Sequence, residues 1–538
     1  MWFATILYCV LVGLASGDTG PIVKTNFGAI QGVTTNKSNV FYGVPYATPP
    51  IDSMRWQDPI YPKPWGQQVY MATEKKSGCT QYRCTDLSPP SVCPTKVSED
   101  CLYLDIFTPL NSNATSGLAV MVYIHGGNFV HMSANSPLFD AQVITMKGNI
   151  VHVNVEYRLG VFGFLVTGPG DGEAHGNYGI RDQQLALKWV QENIREFGGD
   201  PTKVTLYGQS AGAQSTMIHL SNPVSAPYFR QAIVESSPFT IPYKSYTEAL
   251  ILSSEFSNLA GCTPLDIECL RRKTSEELVF AQFQSRSKIA SLKLLEAFEP
   301  WGPVVDGILV DKQPLVNLAN GEFSKKPIML GTTSEETRIY IYSAWASRVD
   351  NLKYFEVVIG TYPRQSLKIL YEYPPDQPTD ERDDLVKLST DLVFVCSTRN
   401  ATRSLIKHGN ANTWLYIWDH AFSFPGWGNI TFCEGHVCHG SEIPYVFQTA
   451  PLAGFKYTPD ELVLSDLIIQ YWTNFAKTGD PNKGMTDDKY HVQGAPVWPV
   501  YTQTDKYPIL HFQTPASSVE NDYKQRLCDF WDTIGYSA

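Results

Sequence analysis

Between Val120 and Gly212 short apolar runs alternate with stretches whose apolar residues recur every three or four positions. Val120–Ile124 and Ile150–Val155 are short runs rich in β-branched residues, which read as buried strands. Leu187, Val190, Ile194 and Phe197 follow at spacings of 3, 4 and 3, one face of a helix, which Gly198-Gly199-Asp200-Pro201 should end. Val204–Tyr207 then reads as a strand and Ala211–Leu220 as a helix, so Ser210 falls on the turn between them. Ser465–Lys477 and Gln525–Trp531 read as late helices, and Asn111–Gly117 and the cysteine-rich Gly78–Cys101 stretch as surface loops. Strands alternating with helices predict an α/β fold with a large, mostly parallel central sheet flanked by helices. No internal repeat, low-complexity block or long Pro/Ser linker divides the chain, so a single large domain is expected.

Composition narrows the class. With 43% apolar and 18% charged residues the chain can bury a large core, and a formal net charge of −11 lacks the basic surface that phosphate neutralisation requires, which disfavours nucleic acid as a partner. An apolar run from Trp2 to Leu14, followed by Ala15, Ser16 and Gly17, has the pattern of a signal peptide over residues 1–17, leaving 18–538 as the mature domain. The run lacks a basic n-region. The alternative, an N-terminal membrane anchor, would need about 20 apolar residues. The C-terminal Ile534–Ala538 is neither a retention signal nor an anchor tail, so a secreted protein with no stable membrane anchor is expected. Of 11 cysteines, removing Cys9 leaves an even number suited to disulfides, and sequons at Asn36, Asn113, Asn400 and Asn429 fit a secretory route if those sites are exposed.

The chemistry lies on the predicted strand-to-helix turn. Gly208-Gln209-Ser210-Ala211-Gly212 is a G-x-S-x-G sequence in the context of a nucleophile elbow, where glycines permit a sharp turn and the following helix points free N–H groups at the reacting oxygen. His125-Gly126-Gly127-Asn128-Phe129 follows a predicted strand upstream, where an oxyanion-hole loop should lie. On these residues the chain resembles the type-B carboxylesterase/lipase family. Phe197-Gly198-Gly199 through Gly212 matches that family's serine signature, and Glu99–Pro109 its second signature, while Tyr157–Gly160 and Gly176–Gln183 follow in family order. The resemblance runs from about Gly28 to Trp531 and implies an α/β-hydrolase fold.

It also implies the remaining members of the site. The family's acid follows the glycine of Gly331–Glu336 by five residues, which selects Glu336 over Glu335, and its histidine matches His439 of His439-Gly440-Ser441-Glu442. Ser210, Glu336 and His439 would then be nucleophile, orienting acid and general base, in that chain order. Backbone N–H groups of Gly127, Asn128 and Ala211 would receive the developing oxyanion. Such chemistry needs no metal or organic cofactor, and its partner is a small-molecule ester. His125 is expected to support the oxyanion loop and His219 to be a packed helix residue.

Four departures bear on substrate. Asn128 replaces the third glycine of the family's H-G-G-G loop. Its N–H survives and asparagine tolerates a left-handed backbone, so a working hole with a side chain intruding into the pocket is expected; a misformed hole with weak activity is the alternative. Ser91 stands where cholinesterases of the family carry a tryptophan, Gln209 where they carry a glutamate, and Ile339 where an aromatic follows the acid, which disfavours a choline-selective site. The resemblance implies disulfides Cys79–Cys101, Cys262–Cys269 and Cys396–Cys528. Cys84–Cys93 and Cys433–Cys438 are the simplest pairing of the rest, although Cys433–His439 can also be read as a metal cluster. Two rival functions remain: a catalytically silent binding or adhesion protein, and a lipase for long acyl chains.

Overall fold

The computed structural model describes residues 19–82, 89–289, 298–377, 379–484 and 490–536. Thirteen strands among them form one sheet: β1 (Thr19–Thr25), β2 (Gly28–Thr34), β3 (Ser38–Pro45), β4 (Gly66–Met71), β5 (Tyr103–Pro109), β6 (Leu118–Ile124), β7 (Val151–Val155), β8 (Gly199–Gln209), β9 (Gln231–Glu235), β10 (Ile328–Thr333), β11 (Thr413–Trp418), β12 (Ile509–Phe512) and β13 (Ser518–Glu520). Their order across the sheet is β1-β2-β3-β5-β7-β6-β8-β9-β10-β11-β12-β13, with β4 alongside β2. From β7 to β12 every neighbouring pair is parallel. The β1-β2-β3-β5-β7 side and the β12-β13 edge are antiparallel.

The parallel block is apolar on both faces because helices cover both. Val120, Val122 and Ile124 of β6 point into one core and Ala119, Met121 and Tyr123 into the other, the period-two alternation of a pleated strand. Helix α1 (Tyr178–Asn193) closes the first core with Ile180, Leu187 and Val190, and the predicted face continues as a 3-10 turn through Phe197 before Gly198, at φ 86°, ends it. Helix α2 (Ala211–Ser221) starts directly after Ser210. Helix α3 (Pro459–Thr478) closes the second core with Leu467, Ile468 and Trp472, and it begins six residues earlier than its apolar pattern predicts because Thr458 and Glu461 form a reciprocal capping box. The result is a single-domain α/β-hydrolase arrangement, as expected.

Four disulfides join described residues: Cys79–Cys101, Cys262–Cys269, Cys396–Cys528 and Cys433–Cys438. The last ties up both sulfurs that a metal reading of Cys433–His439 would need. Cys93 is also disulfide-bonded, but Cys84, like the expected signal segment 1–17, lies outside the described residues. The Gly78–Cys101 stretch is less superficial than its composition suggests, since Gly78–Gln81 and Cys101 are buried where Gly78–Cys79 pairs with Val97–Ser98. Asn36, Asn113 and Asn429 are exposed. Asn400 departs from that expectation: it is half-buried on the helix Cys396–Lys407 and donates through Nδ2 to Asp532 Oδ1 at 3.1 Å.

Candidate active site

Parallel strands β6, β8, β10 and β11 all end at one edge of the sheet, and the loops leaving them build the site. At the end of β8 the chain reverses into α2 through Ser210, whose φ of 58° and ψ of −122° lie outside the regions an L-residue prefers. The neighbours enforce this. A Cβ on Gly208 or Gly212 would sit 2.5 or 1.9 Å from the Ile124 carbonyl oxygen, so only glycine lets β8 and α2 approach β6 this closely. The Ser210 N–H donates to the Glu235 carbonyl at 2.9 Å and fixes the turn against β9. Ala211, the first helical residue, keeps an N–H that no intrahelical acceptor can reach.

The loop after β6 lies opposite. Gly127 has φ 101°, and a Cβ there would meet the His131 carbonyl at 2.1 Å. Asn128 follows at φ 51°, the left-handed conformation its residue type tolerates. The N–H groups of Val130 and His131 both donate to the Gly127 carbonyl, at 2.9 and 3.1 Å, closing the loop so that the peptides of Gly127 and Asn128 border the cavity. The Asn128 side chain, expected to intrude into the pocket, is tethered at its wall and donates to the Phe298 carbonyl at 3.1 Å. His125 is fully buried, stacked on Tyr157 with ring centroids 4.6 Å apart, and burial pushes its pKa down to about 4, so it supports the loop as a neutral ring. His219 is likewise a buried helix residue, bonded to Ser225 and Gln183.

Glu336 and His439 meet across the turns that follow β10 and β11. His439 Nδ1 lies 2.5 Å from Glu336 Oε2, and Glu336, at 0% exposure, accepts the Thr333 N–H on its other oxygen at 2.7 Å. Glu335 faces elsewhere: it accepts from the Val437 N–H at 2.8 Å and lies 2.9 Å from His436 Nδ1. Rings of Tyr340 and Phe394 stand 5.6 and 5.2 Å from the His439 ring. Ser210, His439, Gly127 and Asn128 all line one cavity of about 190 Å³, with Gln209 and Tyr340 beside them.

Three features had no warning in the sequence. Gln209 donates its side-chain amide to His439 Nε2 at 3.0 Å, so with Nδ1–H directed at Glu336 the second ring nitrogen is occupied by Gln209. Tyr340 stands beside Ser210 on the wall of the same cavity, its ring 5.6 Å from that of His439. Its position four residues after Glu336 puts it near the site, but spacing alone could not have said which way the ring turns. Beneath His439, Glu442 is fully buried with neither carboxylate oxygen bonded among the described residues; burial, and then the charges of Glu235 and Glu336, hold its carboxyl far above the ordinary range. Glu235 accepts from Trp472 Nε1 at 2.6 Å, and burial pushes it up to about 8. Among the described residues no group of three or more His, Cys, Asp or Glu is arranged to hold a metal ion, and no helix is long and apolar enough to cross a membrane.

The geometry is that of a serine on a strained elbow, a carboxylate–histidine pair and two amide-bearing loops around one apolar cavity. The carboxylesterase family model matches residues 19–531. The chain is 39% identical over 466 residues to the cAMP-regulated D2 protein of Dictyostelium discoideum, covering 86% of this chain and 85% of that one. It is 37% identical over 520 residues to the crystal protein of the same organism, covering 95% and 90%. Similarity extends at 31% over 569 residues to an acetylcholinesterase of Bungarus fasciatus, covering 99% and 89%. With the sheet order, the elbow and these relatives in agreement, the chain belongs to the carboxylesterase family.

Proposed function

We propose that the protein is a secreted serine carboxylic ester hydrolase working through an acyl-enzyme on Ser210, with His439 as general base and acid and Glu336 as the orienting carboxylate. The observation that carries this reading is the convergence of the Ser210 elbow and the 2.5 Å His439–Glu336 pair on one cavity. A serine hydroxyl is a weak nucleophile near neutral pH, and attack on an ester carbonyl requires its proton to leave as the new bond forms. His439 Nε2 is the acceptor, and for it to serve, the Gln209 amide must yield that lone pair to the Ser210 hydroxyl. Glu336 holds Nδ1–H, fixes the tautomer and stabilises the imidazolium without taking the proton. Negative charge on the former carbonyl oxygen meets the amides of Gly127, Asn128 and Ala211; loss of one such donor typically costs about 10²–10³ in rate. The imidazolium then protonates the leaving alcohol, and water repeats the sequence to release the acid.

Secretion is supported by the signal-like residues 1–17, the disulfides and the exposed sequons at Asn36, Asn113 and Asn429. The test is turnover of p-nitrophenyl esters by the secreted wild type and by Ser210→Ala, with mass mapping of an organophosphate adduct. A fall to background in Ser210→Ala and an adduct on Ser210 are expected. Folded wild-type protein with neither turnover nor adduct would move the reading to a silent binding protein.

A further inference from the structure

The catalytic cavity does not end at the histidine. A second chamber of about 320 Å³ adjoins it and shares Ser91, Leu138, Phe422, Gly426 and Pro444 as walls, so the two form one continuous recess. Among the described residues no charged side chain lines the second chamber. Its wall is an aromatic ladder in which Trp427 of the first cavity stacks on Phe422 at 5.0 Å, Phe422 on Phe424 at 4.9 Å, and Phe424 on Phe455 at 5.2 Å. At the far end Leu452, 54% exposed, marks the mouth.

The chamber lies on the histidine side of the serine. Most of its walls come from Phe422–Gly428 and Pro444–Phe455, the segments before and after the Cys433–His439 loop, with Pro89, Ser91, Pro137 and Leu138 completing them, whereas Gly127, Asn128 and Tyr340 border the first cavity alone. In acyl transfer the Ser210 Oγ–acyl bond forms, the acyl–O–alkyl bond breaks, and the proton passes from Oγ to His439 Nε2 and on to the alkyl oxygen. The departing group therefore lies against the histidine, and its tail continues into the recess beyond. We infer, resting on the hydrolase reading above, that the second chamber receives the alcohol portion of the ester and that the substrate class is carboxylic esters of long or bulky apolar alcohols. Each methylene moved from water onto this wall favours binding about fourfold at most, so a long chain gains strongly over ethyl even when only part of it is buried.

The experiment compares kcat/KM for alkyl acetates from ethyl to decyl with kcat/KM for ethyl esters of acids of the same lengths. A rise of about tenfold or more is expected along the alcohol series and a flatter response along the acyl series. In Ser91→Trp, which fills the junction, and Ala450→Phe, which fills the chamber wall, the decyl-to-ethyl ratio should fall toward one. Competitive inhibition of the wild type by 1-alkanols, tightening at least tenfold from butanol to decanol, gives the same answer without any variant. Selectivity confined to the acyl series, or flat in both with alkanol inhibition independent of length, would overturn the assignment while leaving the hydrolase intact. Absence of any turnover together with no organophosphate adduct on Ser210 would remove the hydrolase itself, and this inference with it.

Discussion

The Ser210 turn and the His439 loop face each other across one cavity, and they are held by different means. The serine turn is fixed by backbone. Glycines at Gly208 and Gly212 allow contacts that no Cβ permits, and the Ser210 amide is anchored to the neighbouring strand. The histidine loop is fixed by side chains drawn from distant parts of the chain, Glu336 on Nδ1, Glu335 on His436 and Val437, and rings of Tyr340 and Phe394 against the imidazole, and locally by the Cys433–Cys438 disulfide just before it. On the proposed mechanism the turn holds a nucleophile rigidly against a carbonyl, and the loop holds a ring that gains and loses a proton in each half-reaction and exchanges hydrogen-bond partners as it does so.

If that division is right, the two regions should fail differently. The largest effect on turnover is expected from Glu336→Gln, which keeps the shape and leaves an acceptor for the Thr333 N–H but removes the charge that stabilises the imidazolium. Loss of roughly 10³–10⁴ in kcat with little change in the unfolding midpoint is expected from steady-state kinetics and denaturant titration. A loss below tenfold would mean that another group orients His439. Gly212→Ala should do the reverse. Its Cβ would lie 1.9 Å from the Ile124 carbonyl, so β6 and α2 must separate, and the expected cost is roughly 3 kcal/mol of folding free energy by denaturant titration, with activity falling as the elbow shifts. An undisturbed unfolding midpoint in that variant would refute a turn dictated by close backbone approach.

The same contrast explains what the sequence discloses. Local backbone geometry leaves a local signature: the glycines around Ser210, the apolar runs of β6 and β8, and the turn at Gly198 are all legible because each is enforced within a few residues. The early start of α3 was legible too, in Thr458-Pro459-Asp460-Glu461, a capping box that a search for apolar periodicity overlooks. Glu336 over Glu335 could be chosen only through family resemblance, because adjacent carboxylates in a turn differ in direction and not in chemistry. The Gln209 contact with His439, the place of Tyr340 beside Ser210 and the unbonded carboxylate of Glu442 depend on how separate loops pack, and no spacing in the chain encodes them.

The smallest expected effect concerns that Gln209 contact, where the two regions touch: Gln209 belongs to the serine turn and its amide reaches the histidine loop. An N–H donor on Nε2 favours the neutral imidazole, the form that acts as base. Glu336 on Nδ1 favours the charged form. Gln209→Glu replaces the donor with an acceptor of nearly the same shape, so the imidazolium gains a partner and the neutral ring loses one. The acid limb of kcat/KM should move to higher pH by about one unit, while the rate on the plateau above it changes only a few-fold. An unmoved limb would mean that Gln209 leaves Nε2 in the working enzyme and that the serine turn does not tune the base.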